Sequence, residues 1–166
     1  MKPELAIVCI EDEAEVLESV VMDLELFEDQ FIIEPATSVQ DARKILDTLN
    51  SQGIKVALFI CDHLMPGTTG VEFLVGLSKQ HEFRYSKKML LTGQAGLEDT
   101  VKAVNEAGLD FYLAKPWKRE KLQAIVRDLL TKYVAENVQN VLPFMMSLDS
   151  EVLSDVMRNR KSLTDM

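Results

Sequence analysis

The sequence predicts an α/β fold in which a doubly wound, five-stranded parallel sheet is covered by helices on both faces. Five short apolar runs alternate with segments whose apolar residues recur at helical spacing. The first and third runs are almost continuously apolar, as expected of central strands buried on both sides. The 166 residues suffice for one domain of ordinary size with a short appendage.

The five predicted strands are short, as is usual for parallel sheets. Pro35 favours an edge position for the second strand, because proline cannot donate a hydrogen bond within a sheet. In chain order the strands are Leu5–Ile10, Phe31–Ala36, Val56–Cys61, Lys88–Leu91 and Phe111–Ala114.

Four of the segments between and after the strands carry apolar residues three or four positions apart, which indicates amphipathic helices. Ser38 is expected to cap the second helix, with Asp41 three positions later. Gly108 is expected to end the fourth helix as a C-terminal cap. The apolar faces are Val16, Leu17, Val20, Val21 and Leu24, then Ala42, Ile45, Leu46 and Leu49, then Val71, Phe73, Leu74 and Leu77, then Val101 and Val104.

The fifth helical segment is longer than a small sheet requires. Its periodicity runs from Leu122 to Leu142 and is expected to stop at Pro143, which predicts a helix of about 25 residues. A last short helix is expected to follow, capped by Ser147 or Ser150. We therefore divide the chain into a domain of residues 1–133 and a C-terminal helical extension of residues 134–166.

The sequence leaves two interpretations of this extension open. In the first, the extension folds back and covers its own domain. In the second, apolar residues at coiled-coil-like spacing form a dimer contact or lead into a further domain, although Pro143 interrupts the stripe. These residues are Val134, Val138, Val141, Met145, Leu148 and Val152.

Charge and cysteine content narrow the class of protein. The formal net charge of -9 argues against a surface built for nucleic acid or anionic lipid, so neither partner is predicted. Cys9 and Cys61 lie in apolar runs, which favours buried, reduced thiols over a disulfide. The first residues lack the pattern of an export signal, and no segment reaches the roughly 18 apolar residues of a membrane span. We therefore expect a cytoplasmic protein.

Polar residues follow four of the five strands, at the edge where ligands bind in such sheets. They are Glu11 and Asp12 after the first strand, Asp62 after the third, Thr92 after the fourth and Lys115 after the fifth. Two carboxylates about 4 Å apart repel by about 4 kcal/mol at an effective dielectric of about 20, so the cluster should take up a proton or a cation. Oxygen ligands without histidine or cysteine favour Mg²⁺, which commonly shares an open acidic site with phosphate.

Four short segments at the ends of these strands form one pattern. They are Ile10-Glu11-Asp12-Glu13, Cys61-Asp62-His63-Leu64-Met65-Pro66-Gly67, Leu91-Thr92-Gly93 and Ala114-Lys115-Pro116-Trp117. Their order resembles that of the receiver domains of two-component response regulators, over about residues 4–132. The resemblance implies a flavodoxin-like sheet with the strand order 2-1-3-4-5 and five helices.

The resemblance also implies how the acidic residues act. Asp62 is implied to be the phosphoacceptor, which takes a phosphoryl group from a sensor histidine kinase or a phosphotransfer protein. Asp12, Asp62 and the backbone carbonyl of Leu64 are implied to bind Mg²⁺, and Glu11 to assist through water. The protein would then be a phosphorylated signalling switch.

Three further residues receive implied roles. Thr92 would hydrogen-bond a phosphoryl oxygen, and Lys115 would form an ion pair with it. The Lys115–Pro116 bond would be cis, which aims the ammonium into the site. Tyr112 matches the switch aromatic that turns inward with Thr92 and relays the signal to the fourth helix, fifth strand and fifth helix. Tyr112 as an ordinary aromatic residue remains an alternative.

Two other functions fit parts of the pattern. An aspartate-based Mg²⁺ phosphatase of the haloacid dehalogenase kind generally has a second aspartate two positions after the nucleophile, where this chain has Leu64. A docking module that is never phosphorylated would not need Asp62, Thr92 and Lys115 together. We therefore expect no enzyme activity beyond Mg²⁺-dependent self-phosphorylation and autodephosphorylation. His63 is expected to point away from Asp62 and receives no catalytic role.

Overall fold

Five parallel strands form the centre of the protein, whose computed structural model describes residues 3–93 and 97–164. The strands are β1 (Leu5–Ile10), β2 (Phe31–Ala36), β3 (Lys55–Asp62), β4 (Lys87–Thr92) and β5 (Phe111–Ala114). Their order is β2-β1-β3-β4-β5, and every neighbouring pair is parallel. The predicted fold class and strand order are confirmed, with Pro35 on an edge strand. Only β3 and β4 differ from prediction, each extending one residue further at both ends.

The described ranges contain six α-helices, the last of which packs against the fifth. They are α1 (Ala14–Asp23), α2 (Val39–Ser51), α3 (Gly70–Ser78), α4 (Leu97–Ala107), α5 (Arg119–Asn137) and α6 (Ser150–Thr164). Short 3₁₀ turns lie at Glu25–Phe27, His81–Phe83 and Leu142–Phe144. None of these helices has the length and apolar character needed to cross a membrane.

Local signals in the sequence explain where several helices begin and end. Ser38 Oγ accepts a hydrogen bond from Asp41 N at 3.0 Å, so the predicted cap of α2 is confirmed. Gly108 follows α4 with a φ of 65°, as a C-terminal glycine cap requires. Thr69 and Glu72 form a capping box at the start of α3, which the sequence analysis missed although the Thr-x-x-Glu spacing is its usual signal.

Alternation along the strands divides the core into two layers. In β3, Leu58 and Ile60 face the layer that contains α1 and α5, whereas Phe59 and Cys61 face α2, α3 and α4. Phe59 packs edge-on against Phe73, with ring centroids 6.3 Å apart. Both faces of the sheet are therefore covered, and the polar residues at its carboxyl edge are attached to strands packed on both sides.

The fifth helix is shorter than predicted. It ends at Asn137, and Val138 is extended with φ -106° and ψ 129°. Arg160 Nη1 donates to the carbonyls of Val138 and Gln139 at 2.9 and 2.7 Å, and its Nη2 donates to Ala135 O at 2.9 Å. The guanidinium thus satisfies one carbonyl in the last turn of α5, which the helix end leaves without a partner, and two carbonyls in the segment that follows it. The prediction was wrong because the apolar spacing continues after the helical backbone has stopped.

The extension folds back onto its own domain, as the first of the two interpretations expects. Its side chains join the layer formed by α1 and α5, where Phe144 lies against Phe31 with centroids 5.6 Å apart. Val152, from the predicted dimer stripe, is 42% exposed. A dimer contact and the division of the chain at residue 133 stay predictions. The buried residues of the extension are Val134, Val141, Phe144, Leu148 and Leu153.

The last helix is capped by Asp149 rather than by a serine. Asp149 Oδ1 accepts hydrogen bonds from the backbone N of Glu151 and of Val152, both at 3.2 Å. Asp149 N in turn donates to Thr131 Oγ1 of α5 at 3.1 Å. Asp149 therefore starts α6 and ties it to α5, so the expected cap at Ser147 or Ser150 was wrong.

We expect Arg160→Met to lower the free energy of unfolding by about 1–2 kcal/mol, because it removes three charge-assisted hydrogen bonds from the end of α5. Urea denaturation followed by circular dichroism measures the change. Arg158→Met is the matched control, since Arg158 pairs with Asp155 on the exposed side of α6. Equal losses in the two variants would show that Arg160 does not secure α6.

Both cysteines are buried and free, as predicted. Burial raises the pKa of the Cys9 thiol to about 12 and raises that of Cys61 as well. The thiols therefore stay protonated at neutral pH and act as small apolar side chains.

Candidate functional site

The carboxyl ends of β1, β3 and β5 bring four of the predicted site residues together. Lys115 Nζ lies 2.8 Å from Glu11 Oε2 and 2.9 Å from Asp62 Oδ1. One carboxylate oxygen from each of Glu11, Asp12 and Asp62 lies within 4.8 Å of the other two. Parallel strands that end at one edge thus place residues distant in sequence at one site.

Burial and charge pairing shift the pKa values of two groups in this cluster, Glu11 and Lys115. Glu11 and Asp62 are buried, with 1% and 4% exposure, whereas Asp12 is exposed. Burial raises the pKa of Glu11, and the hydrogen bond from Lys115 opposes this rise. Burial alone would lower the pKa of Lys115, but hydrogen bonds to Glu11 and Asp62 raise it above its usual value. The ammonium therefore remains charged at neutral pH and offsets part of the carboxylate charge.

The donor set fits Mg²⁺. It consists of three carboxylates, which are the hard oxygen ligands that this ion prefers, and it contains no histidine or cysteine. Exposed Asp12 leaves one side of the cluster accessible, while Glu11 and Asp62 are fixed by Lys115. The backbone carbonyl of Leu64 as a further ligand stays a prediction.

Thr92 contributes a hydroxyl that has no partner within residues 3–93 and 97–164. Its side chain is 1% exposed, and Oγ1 makes no hydrogen bond there. The Thr92 carbonyl accepts a hydrogen bond from Lys115 N at 2.9 Å, so the backbones of these two residues are adjacent. A buried hydroxyl without a partner costs about 1–3 kcal/mol, and a bound phosphoryl oxygen would satisfy it.

The remaining predicted features lie beside the cluster. The Lys115–Pro116 peptide bond is cis, as the resemblance implied. Tyr112 stands on the edge strand β5 and is 38% exposed. Its role as a switch stays a prediction, as do the chemical roles of the other site residues.

Gly70 fixes the segment that carries Asp62, and the sequence analysis did not identify it. Gly70 N donates to His63 O at 2.8 Å. A Cβ at Gly70 would lie 2.1 Å from the Asp62 carbonyl oxygen, so only glycine allows α3 to begin this close to β3. The available signal was a glycine next to the Thr69 cap at the start of α3.

His63 has a contact that sequence reasoning missed. Its side chain is buried, and Nε2 lies 3.2 Å from Asp99 Oδ2 in the first turn of α4. Asp99 follows His63 by 36 positions, and no local pattern links them. His63 thus contacts a helix rather than solvent.

The sheet order and the acidic cluster at its carboxyl edge together define a class of protein, the receivers of two-component signalling systems. The family model described as the response regulator receiver domain matches residues 7–127. The chain belongs to this family.

Several curated proteins are similar to the chain. The hydrogenase transcriptional regulatory protein HoxA of Cupriavidus necator is 32% identical over 81% of this chain, which corresponds to 26% of HoxA. Response regulator Rre1 of Synechocystis is 31% identical over 82% of the chain and 56% of Rre1. The phosphate regulon transcriptional regulatory protein PhoB of Escherichia coli is 28% identical over 86% of the chain and 59% of PhoB. The chain therefore spans between about a quarter and three fifths of these relatives.

Solved structures agree with the fold. A CheY-like response regulator receiver domain protein from Methanospirillum hungatei has a TM-score of 0.68 and 26% identity, over 80% of this chain and 98% of that one. The signal receiver domain of an HD domain-containing protein from Pseudomonas fluorescens has a TM-score of 0.67 at 23% identity, again over 80% and 98%. The structural likeness thus covers nearly all of each receiver and four fifths of this chain.

Proposed function

We propose that the chain is a signalling switch in which Asp62 accepts a phosphoryl group from a partner histidine kinase or phosphotransfer protein in the presence of Mg²⁺. The observation that carries the proposal is the buried Asp62 carboxylate, held 2.9 Å from Lys115 Nζ within a cluster of three acids. Membership of the receiver family supports the same function.

The proposed transfer joins an Asp62 carboxylate oxygen to the phosphorus of a phosphohistidine. The phosphorus–nitrogen bond breaks, its electron pair leaves with the imidazole, and that imidazole takes up a proton from water. The product on Asp62 is a mixed anhydride. A carboxylate nucleophile has no proton to lose, so the step needs no general base.

Charge on the phosphoryl oxygens is the main demand of such a transfer. Lys115 would turn its ammonium from Asp62 toward a phosphoryl oxygen, and the unpartnered Thr92 hydroxyl would donate to another. Mg²⁺, when held by Asp12, Asp62 and the Leu64 carbonyl with Glu11 acting through water, would supply further positive charge.

We propose that the switch acts on partners rather than on a small substrate. Phosphorylation would be read through Thr92 and Tyr112 at the surface of α4, β5 and α5. A downstream domain or a second copy joined through the C-terminal helices remains part of the proposal, as does a cytoplasmic location. We propose no enzyme activity beyond self-phosphorylation and autodephosphorylation.

The test is intact mass spectrometry after incubation with acetyl phosphate and Mg²⁺. We expect the wild-type chain to gain the mass of one phosphoryl group and Asp62→Asn to gain none. Asp128→Asn removes a carboxylate that pairs with Lys132 on the surface of α5, and this control variant should be labelled like the wild type. An unlabelled wild type, or equal labelling of Asp62→Asn, would refute the proposed function.

A further inference from the structure

His63 connects the segment that carries Asp62 to helix α4. Its imidazole is 3% exposed, and Nε2 lies 3.2 Å from Asp99 Oδ2. Carboxylate oxygen accepts, so Nε2 donates the hydrogen of this bond. Nδ1 is buried and has no hydrogen-bond partner within the described ranges. Within the described ranges, Asp99 is therefore the hydrogen-bond partner of this buried imidazole.

The backbone of His63 is fixed on both sides. His63 N donates to Leu91 O of β4 at 3.0 Å, and His63 O accepts from Gly70 N of α3 at 2.8 Å. His63 directly follows Asp62, the last residue of β3. The imidazole is therefore attached to the same hydrogen-bonded backbone segment as the Asp62 carboxylate.

The two halves of helix α4 make different contacts with the rest of the protein. Ala103 and Ala107, both fully buried, pack its second half against the core. Ser78 Oγ donates to Glu106 O at 2.9 Å in the same half. In the first turn, Asp99 receives the hydrogen bond from His63, and its carboxylate complements the positive end of the helix.

We propose that His63 is a positioning residue that holds the first turns of α4 in place and carries part of the coupling between phosphorylation of Asp62 and movement of α4. The proposal deepens the proposed function and rests on it. Two connections then lead from the site to α4. One runs along the chain from Thr92, which ends β4 shortly before α4 begins at Leu97. The other runs through the imidazole of His63.

Coupling between two sites is a difference in free energy, and a contact contributes to it only when its strength differs between the two states. A residue that merely stabilises the fold would change α4 equally before and after phosphorylation. A residue that couples the two sites must change the effect that phosphorylation has on α4, which is the ratio of its exchange rates with and without the phosphoryl group.

The test compares amide hydrogen exchange in wild type and His63→Phe, each with and without loading by acetyl phosphate and Mg²⁺. Phenylalanine keeps an aromatic ring at this position but lacks the Nε2 hydrogen-bond donor. In the unloaded variant we expect exchange in the first turns of α4 to become about fivefold faster, with α2 unchanged as internal reference. The change in α4 exchange that follows treatment with acetyl phosphate and Mg²⁺ should be smaller in His63→Phe than in wild type, by a factor of about three or more.

Three further variants locate the effect. Asp99→Ala should reproduce the result of His63→Phe, and the double variant should add little, because both remove the same hydrogen bond. Glu98→Ala is the matched control, since it removes an exposed acid from the same turn and leaves Asp99 in place. Should His63→Phe fail to fold, Asp99→Ala carries the test.

The outcomes separate the two proposals. If mass spectrometry shows the phosphoryl adduct in wild type and variants, but loading changes α4 exchange equally in all of them, the coupling role of His63 is wrong and the proposed function stands. If the wild type forms no adduct, the proposed function fails and the coupling role fails with it.

Discussion

Replacing Lys115 with methionine is expected to slow formation of the phosphoryl adduct on Asp62 by about 100-fold, the size of effect seen when one preorganised hydrogen-bond donor is removed from a transition state. In the structure Lys115 Nζ bonds both Glu11 and Asp62, and no other cation contacts these two carboxylates in the described residues. Methionine has a similar length and carries no charge. The initial rate of labelling by acetyl phosphate and Mg²⁺, followed by intact mass, measures the effect.

Lys121→Met is the matched control for this experiment. Lys121 is exposed in the first turns of α5, so its loss should leave the labelling rate within a factor of about two. Equal rates in wild type and Lys115→Met would contradict the role assigned to the ammonium.

The same substitution should change the pH dependence of stability. The folded pKa of Lys115 lies above the unfolded value of 10.5, so its contribution to the free energy of unfolding is complete below pH 10.5 and is lost as pH rises further. Lys115→Met should lack that alkaline loss. Urea denaturation at several pH values between about 9 and 12 measures the slope.

Gly70→Ala is expected to destabilise the protein by about 3 kcal/mol or more, because the new Cβ meets backbone that cannot move aside. It would lie 2.1 Å from Asp62 O and 2.9 Å from His63 Cα. Relief of this clash would shift the acceptor relative to Lys115, so we also expect slower labelling of Asp62. Thermal and urea denaturation measure the loss of stability.

Gly76→Ala, in the same helix, is expected to change the stability in the opposite direction. Nothing lies within 4 Å of a Cβ added at Gly76. Alanine is the better helix former, so this variant should gain about 0.5–1 kcal/mol. Loss of stability in both variants would show that helix α3, rather than the approach of Gly70 to Asp62, is sensitive to substitution.

The predictable part of the site follows from topology. Once the five strands are recognised as parallel, the carboxyl ends of β1, β3 and β5 must lie at one edge, and the proximity of Glu11, Asp62 and Lys115 follows. The strands were recognisable because their apolar runs and lengths are distinctive. Ser38 and Gly108 were predictable for a related reason, since caps depend on local chemistry.

The unpredicted part depends on contacts between distant segments. The end of α5 receives hydrogen bonds from Arg160, which lies 22 positions after Val138 and leaves no trace in the local periodicity. The contact between His63 and Asp99 likewise depends on how α4 is placed beside β3. Gly70 could not be identified from the sequence because its close approach to Asp62 exists only in the folded chain.

The docking of α6 covers one side of helix α5 and leaves another side exposed. On one side of α5, Arg127 and Thr131 form hydrogen bonds with Ser147 and Asp149, and Ala135, one turn further along, accepts a hydrogen bond from Arg160 of α6. The adjacent stripe of Ala124, Asp128 and Lys132 is exposed. If the proposed partner contacts α5, this exposed stripe would let it bind while α6 stays docked, because the two sets of residues do not overlap.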